Sequence, residues 1–374
     1  MKCVLVTGSA GLIGSEAARH YNSKADCVIG IDNNMRAKFF GPDGDTNWQR
    51  AQLEADCKNY RHSSTDIRDR SGIDHLIEEA RPDAIIHCAA QPSHDLAATI
   101  PFDDFEVNAV GTLNLLEATR KHVPESPFIF TSTNKVYGDA PNNINLVEME
   151  TRYDFDDPNY VRGIAETFSI DQSKHSLFGA SKAAADLMVQ EYGRYFGMNT
   201  VCFRGGCLTG TGHSGAELHG YLAYLFKAAA AGRHYTIFGY KGKQVRDQIH
   251  SLDVIGAFDA FIARPRQGAV YNLGGGKPNS VSIIESIDRI HQLSGRSLSV
   301  SLTDENRIGD HICYYTDMTR FRADYPEWKL RVSIDQIFEE FAAIAFKNNK
   351  ARSFYSSSRK SSIPSQTEQL SSPG

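Results

Sequence analysis

Short apolar runs rich in β-branched residues recur along the first half of the chain, and stretches of helical periodicity separate them. Runs that are apolar at nearly every position are typical of strands buried on both faces of a sheet. They lie at Cys3–Val6, Cys27–Ile31, Ala84–Cys88, Phe128–Thr131 and Val201–Phe203. Helical spacing is clearest in Ser71–Ala80 and Thr112–His122. This alternation predicts an α/β fold built on a doubly wound parallel sheet.

The pattern changes after about Arg204, where glycine-rich turns separate shorter strands and helices. We therefore predict a first domain at residues 1–204, whose last helix spans 179–196. A smaller C-terminal α/β lobe follows at 205–346, with some segments returning to the sheet. Residues 347–374 are rich in serine and poor in apolar residues, which favours a disordered tail. A phosphorylation segment at 356–362 is the alternative to a tail without a role.

The composition of the chain argues against nucleic-acid-binding, membrane-spanning and metal-binding proteins. The chain has 374 residues, 41% of them hydrophobic, and its formal net charge is −5. No strongly basic field is present to attract nucleic acid or an anionic membrane, and no apolar run approaches the ~18 residues of a membrane helix. The seven cysteines lack metal-site spacing, and the segment with His213, Glu217 and His219 does not match a helical zinc motif. We expect a cytoplasmic protein with reduced thiols and no metal.

A glycine-rich turn follows the first strand directly and leads into a helix. Gly8 permits the tight turn, Gly11 lets the backbone approach a pyrophosphate, and Gly14 lets the helix pack closely on the sheet. The helix N-terminus then offers free N–H groups to phosphates. This context predicts a dinucleotide site with Rossmann geometry. Its first candidate contacts are Gly8, Ala10, Gly11, Leu12, Ile13 and Gly14.

Asp32 ends the second strand, where an acid can accept a hydrogen bond from a ribose 2′-hydroxyl and would repel a 2′-phosphate. NAD is therefore favoured over NADP as the cofactor. Asp66 is placed to meet the adenine amino group. Small residues after a later strand would let the cofactor lie across the sheet edge. The further cofactor candidates are Asn33, Asp66, Ile67, Ala89, Ala90 and Gln91.

With these features, the chain resembles the extended short-chain dehydrogenase/reductases that act on nucleotide sugars, from Met1 to about Phe346. The resemblance includes Asn108-Ala109-Val110-Gly111-Thr112 and Thr131-Ser132-Thr133-Asn134-Lys135-Val136-Tyr137-Gly138-Asp139. The sequence of the second motif is most similar to the CDP-paratose (CDP-tyvelose) 2-epimerase branch. The same is true of Gly242-Lys243-Gln244-Val245-Arg246-Asp247.

The resemblance implies an NAD-dependent epimerase of a nucleotide-diphosphate sugar, with a CDP-hexose as the first expectation. The sugar would be oxidised to a ketone, and hydride would return to its other face. It implies cofactor contacts from Asn108, Thr131 and Lys182, and a hydroxyl of Thr133 at the reacting oxygen. A homodimer through helices near Thr112–His122 and Ala180–Tyr195 is also implied. The implied substrate contacts are Gln91, Thr133, Asn134, Lys135, Arg246 and Arg307.

The chain departs from the family at the catalytic base. The family has a tyrosine four residues before the lysine, and this chain has Phe178 before Lys182. Phenylalanine keeps the ring but has no proton to exchange. His175, Glu166 or Lys182 are the candidate replacements, and Cys207 is a weaker one because small buried cysteines are common.

Three functional interpretations stay open on the sequence. The first is an epimerase that uses another proton-transfer group. The second is a nucleotide-sugar dehydratase or decarboxylase with the same NAD cycle. The third is a protein that binds NAD and a sugar nucleotide with little catalysis, whether Phe178 is natural or an engineered substitution.

Overall fold

The computed structural model describes residues 1–215, 220–305 and 310–358, with side chains described as far as residue 346. The strands are β1 Cys3–Thr7, β2 Cys27–Ile31, β3 Tyr60–Ser63, β4 Ala84–His87, β5 Phe128–Thr133, β6 Leu146–Glu148, β7 Tyr153–Phe155, β8 Thr200–Gly205, β9 Cys207–Thr209, β10 Tyr235–Phe238, β11 Val245–His250, β12 Ala269–Leu273, β13 Ser280–Ser282, β14 Val300–Thr303 and β15 Cys313–Tyr314. The helices are α1 Leu12–Asn22, α2 Met35–Phe40, α3 Asn47–Asp56, α4 Arg70–Ala80, α5 His94–Ala97, α6 Pro101–Phe105, α7 Gly111–His122, α8 Leu177–Phe196, α9 Tyr221–Ala231, α10 Ser251–Ala263, α11 Ile283–Ser294, α12 Thr319–Asp324 and α13 Ile334–Ser358.

A seven-stranded sheet organises the molecule, in the order β12-β8-β5-β4-β1-β2-β3. Every neighbouring pair in it is parallel. The order reverses between β1 and β4, so a crevice opens there at the carboxyl ends of the strands. The predicted doubly wound fold is confirmed.

Helices cover both faces of this sheet. On one face, Tyr21 of α1, Leu53 of α3 and Phe258 of α10 belong to one buried cluster. On the other face, Leu115 of α7 and Val189 of α8 belong to a second buried cluster. Burial on both faces is why the strands are apolar at nearly every position.

The smaller lobe shares the sheet with the first half of the chain. It contains a four-stranded sheet in which β11 pairs with β9, β13 and β15, and a cluster of α9, α11 and α13 side chains. Its strand β12 leaves this lobe and pairs with β8 at the edge of the large sheet. A returning segment was predicted, and β12 is such a segment. The predicted domain boundaries themselves stay a prediction.

The last described helix extends into the predicted tail, which itself stays a prediction. Helix α13 continues to Ser358, so residues 347–358 are helical where the sequence favoured disorder. No proline or glycine interrupts the chain between Pro326 and Pro364, and helix propagation needs little apolar content once a nucleus exists. Residues 359–374 lie outside the described residues. Within the described ranges, no helix combines the length and apolar character that a membrane crossing requires.

A buried ion pair joins α8 to the sheet behind the crevice. Nη2 of Arg204 lies 2.8 Å from Oδ1 of Asp186, and Nε lies 3.1 Å from Oδ2. Asp186 also accepts hydrogen bonds from Ser132 and Gln190, both at 2.6 Å. The side chains of Arg204 and Asp186 are 5% and 1% exposed, so each buried charge is compensated by the other.

We predict that Asp186→Asn lowers the free energy of unfolding by about 3–5 kcal/mol, because Arg204 would keep a buried and uncompensated charge. Urea unfolding followed by circular dichroism measures it. Asp288→Asn, on an exposed position of α11, should change stability by less than about 0.5 kcal/mol. Equal effects of the two substitutions would contradict the importance of the buried pair.

Candidate functional site

A cavity of about 440 Å³ runs along the carboxyl edge of the large sheet and under the smaller lobe. It touches Gly8 after β1, Ala89 after β4, Thr133 at the end of β5 and Gly205 at the end of β8. On the far side it reaches Tyr221 and other residues of the smaller lobe. The cavity therefore occupies the crevice where doubly wound sheets bind ligands.

The glycine turn fits a dinucleotide. A side chain at Gly8, where φ is +66°, would lie 2.8 Å from the backbone of Ala89, and one at Gly14 would lie 2.0 Å from the carbonyl oxygen of Gly8. Gly11 lines the cavity, so a side chain there would project where the ligand must approach. No side chain caps α1 at its N-terminus within the described residues, which leaves its first N–H groups for a pyrophosphate.

Acidic residues mark the adenosine end. The Asp32 carboxylate accepts N–H bonds from Ala10 and Asn34 at 2.9 and 2.8 Å, which fix it at the end of β2. Asp66 is held by Arg68 and by the amide of Asn33. Burial raises the pKa of Asp66, but the hydrogen bonds from Arg68 outweigh it and the pKa lies below the usual value. Both acids line the cavity.

Asn108 connects three segments beneath the cavity. It lies in a π-helical turn, Glu106–Val110, between α6 and α7. Its Nδ2 lies 3.1 Å from each of three acceptors, the Gln91 carbonyl, Oδ1 of Asp104 and Oγ of Ser181. Its Oδ1 accepts the N–H of Gln91. Asn108 and Gln91 are buried and do not line the cavity, so they support its wall.

The Phe178 ring and Lys182 lie one helical turn apart on α8, and both line the cavity. Nζ of Lys182 donates to the Thr131 carbonyl at 2.9 Å and lies 4.0 Å from the Phe130 ring centre. Burial lowers the pKa of Lys182 to about 8. Thr133 ends β5 in the same wall, and its hydroxyl accepts the N–H of Lys135.

Two of the predicted catalytic residues stay outside the cavity. Both ring nitrogens of His175 face backbone carbonyls, that of Ser173 at 3.0 Å and that of Val136 at 2.8 Å. Carbonyls only accept hydrogen bonds, so the ring nitrogen that carries hydrogen donates to the carbonyl that it faces. Glu166 accepts the N–H of Asn272 in β12, and burial raises its pKa. Neither residue is among those that line the cavity.

Cations gather at the opposite end of the cavity. Oδ1 of Asp310 lies 2.6 Å from Nη2 of Arg246 and 3.2 Å from Nζ of Lys135. Burial lowers the pKa of Lys135, and Asp310 opposes that effect. Burial raises the pKa of Cys207, which lies nearby, to about 11, so it stays a neutral thiol. Two cations around one carboxylate leave positive charge for an anionic ligand.

The structure brings most of the predicted residues together and adds one histidine. Arg307 lies outside the described residues, and Ala10 acts through Asp32. The addition is His94, which lines the cavity at the start of α5 and belongs to no motif. The predicted residues that line the cavity are Gly8, Gly11, Leu12, Ile13, Gly14, Asp32, Asn33, Asp66, Ile67, Ala89, Ala90, Thr131, Thr133, Asn134, Lys135, Phe178, Lys182 and Arg246.

Known proteins share this architecture. A sequence model of the NAD dependent epimerase/dehydratase family matches residues 4–274. The chain belongs to this family. A CDP-paratose 2-epimerase from Salmonella typhi is 34% identical over 290 residues, which are 75% of this chain and 81% of the relative. A dTDP-glucose 4,6-dehydratase from Escherichia coli is 29% identical over 342 residues, 89% of this chain and 85% of that protein.

A solved UDP-glucose 4-epimerase from Thermus thermophilus, in complex with NAD, superimposes with a TM-score of 0.73 at 25% identity. The superposition covers 92% of this chain and 98% of that one. The resemblance drawn from the sequence is confirmed at the level of the family. The chain is thus an enzyme of the NAD dependent epimerase/dehydratase family, with NAD as cofactor.

Replacing Lys182 by Ala should weaken NAD binding about tenfold or more, since the ammonium in the cavity wall is lost; tenfold is about 1.4 kcal/mol. The NAD released from purified protein on denaturation and the Kd by calorimetry measure it. Lys58→Ala, at an exposed position, is the control. NAD content equal to that of the unaltered protein would place the nicotinamide end elsewhere.

Proposed function

We propose that this protein epimerises a nucleotide-diphosphate sugar, with a CDP-hexose as the first candidate substrate. The continuity of the cavity carries the proposal, since one space joins the glycine turn, the Thr133–Lys182 wall and the Arg246 cluster. The 34% identity to a CDP-paratose 2-epimerase supports both the reaction and the nucleotide.

Different residues along the cavity would bind the cofactor and the substrate. NAD, when bound, supplies the oxidant that takes a hydride from a sugar carbinol and gives it back. The N-terminus of α1 and Asp32 would hold its pyrophosphate and ribose, and Lys182 would hold the nicotinamide end. Arg246 suits the diphosphate of the substrate because its planar fork donates two parallel hydrogen bonds. Thr133 donates to the sugar oxygen at which the carbonyl forms.

A dehydratase is the second candidate function, and the residues at the end of β5 do not favour it. Elimination of water needs an acid for the leaving hydroxyl and a base for the neighbouring carbon. The residues after Thr133 are Asn134, whose amide cannot move a proton, and Lys135. The described carboxylates of the cavity are Asp32 and Asp66 at the adenosine end and Asp310, which is already paired with Lys135 and Arg246.

Incubation with NAD and CDP-, UDP-, GDP- and dTDP-hexoses tests the reaction. We expect NMR to show an epimer formed from a CDP-hexose, with no loss of water. An unsaturated or deoxygenated keto product would favour the dehydratase. Tight binding of a sugar nucleotide without any product would leave a protein that binds and does not turn over.

We also propose a homodimer. Exposed apolar side chains concentrate on α6 and α8, two helices that pack against each other. Phe102 and Tyr195 are each 81% exposed, and Leu187 and Met188 are 45% and 37% exposed. A second copy of the chain would remove these side chains from water.

Sedimentation velocity should show a dimer, and Leu187→Glu should shift it to monomer by placing a charge in the proposed interface. Leu293→Glu is the matched control, because Leu293 is also 45% exposed but lies on α11 of the smaller lobe. A wild-type protein that sediments only as a monomer contradicts the proposal.

A further inference from the structure

His94 is a histidine in the cavity wall that no motif accounts for. It begins α5, directly after Ser93, and its side chain is 13% exposed. Its Nδ1 is buried and lies 3.1 Å from Oδ1 of Asp95, close enough for attraction although not aligned as a hydrogen bond. Imidazole is the side chain that most often moves protons at neutral pH.

A short chain of hydrogen bonds ties Ser93, the residue before His94, to the helix turn of Phe178. The buried amide of Gln91 binds both backbone groups of Ser93, its Oε1 accepting the N–H and its Nε2 donating to the carbonyl. Gln91 is bound in turn to Asn108, which reaches Ser181 on α8. Oγ of Ser181 donates to the Phe178 carbonyl. Helix α5 also packs against α8.

We infer that His94 exchanges a proton with the sugar hydroxyl, and that the Asp95 carboxylate positions its ring. The inference rests on the proposed epimerase function. It supplies the proton acceptor that Phe178 cannot be. Attraction to Asp95 favours the tautomer with hydrogen on Nδ1, which leaves the lone pair of Nε2 for the substrate.

The step balances with groups already named. The hydroxyl proton goes to Nε2, the carbon–hydrogen bond breaks with its electron pair passing to the nicotinamide oxidant, and the carbon–oxygen double bond forms. In the second half, the imidazolium returns its proton to the ketone oxygen as hydride adds to the carbon. His94 ends neutral, and the sugar carbon has the opposite configuration when hydride adds to its other face.

Four other titratable groups of the cavity serve this step less well. Burial lowers the pKa of His213 to about 3, so it is too weak a base. The thiol of Cys207 stays protonated at neutral pH. Nζ of Lys182 is directed at the Thr131 carbonyl and the Phe130 ring. Lys135 is paired with Asp310.

The test begins with wild-type turnover of the sugar nucleotide found by NMR, followed by His94→Gln. We expect kcat to fall by about 10²–10⁴, as for other losses of a general base, while the Kd of the nucleotide sugar changes less than about threefold. His75→Gln, on an exposed histidine of α4, should keep full activity. Asp95→Asn should lower kcat about tenfold at unchanged KM, and Asp95→Glu should recover part of it.

Two rescue experiments distinguish proton transfer from packing. Phe178→Tyr should not raise the kcat of the wild type. In the His94→Gln background it should raise kcat at least tenfold, because a phenol beside Lys182 is an alternative base. Free imidazole should restore turnover to His94→Ala. Diethyl pyrocarbonate should carbethoxylate His94, and the bound nucleotide sugar should lower the rate of this modification. Mass spectrometry measures that rate.

The outcomes separate the two proposals. A wild type that makes no product from any sugar overturns the epimerase, and the role of His94 with it. An active wild type whose His94→Gln variant keeps kcat within threefold overturns the role of His94 alone. So does a loss of activity that neither Phe178→Tyr nor imidazole restores.

Discussion

The geometry of the site depends on one buried amide. Asn108 satisfies its hydrogen-bonding groups with Gln91, Asp104 and Ser181, which belong to the loop after β4, to α6 and to α8. An unsatisfied amide at this depth would cost about 1–3 kcal/mol, so the three segments keep their spacing. Asn108 is buried within the π-helical turn. The cavity wall is therefore set by polar contacts between residues that lie behind it.

Phe178 gives the cavity wall an apolar ring that cannot exchange a proton. The residue is 7% exposed, as a ring between α8 and the cavity should be. Lys182 nearby is then a cation in an apolar setting, held by one carbonyl and one aromatic ring. Burial lowers its pKa to about 8, and the charge of the nearby Asp186 opposes that shift only in part. Because a phenylalanine ring has no proton to exchange, the proposed epimerisation needs its proton acceptor from another part of the wall.

The strands, the glycine turn and the acid after β2 could be predicted from sequence because each follows from local pattern. Asp32 and Gly14 are placed by periodicity and by a turn of a few residues. His94 could not be predicted, since its position depends on contacts between Gln91 and Asn108, distant in the chain. For the same reason, proximity in sequence misplaced His175. It precedes Phe178 by three residues, but backbone carbonyls of Ser173 and Val136 hold its ring away from the cavity.

The return of β12 to the large sheet has a consequence for synthesis of the chain. Strand β8 pairs with β5 on one side and with β12 on the other, and roughly 60 residues separate β8 from β12. At translation rates of about 5–20 residues per second, β8 remains an open apolar edge for about 3–12 s. An open edge of this kind can recruit strands from other chains. The nascent protein therefore passes through an aggregation-prone interval that ends only when the smaller lobe has begun to emerge.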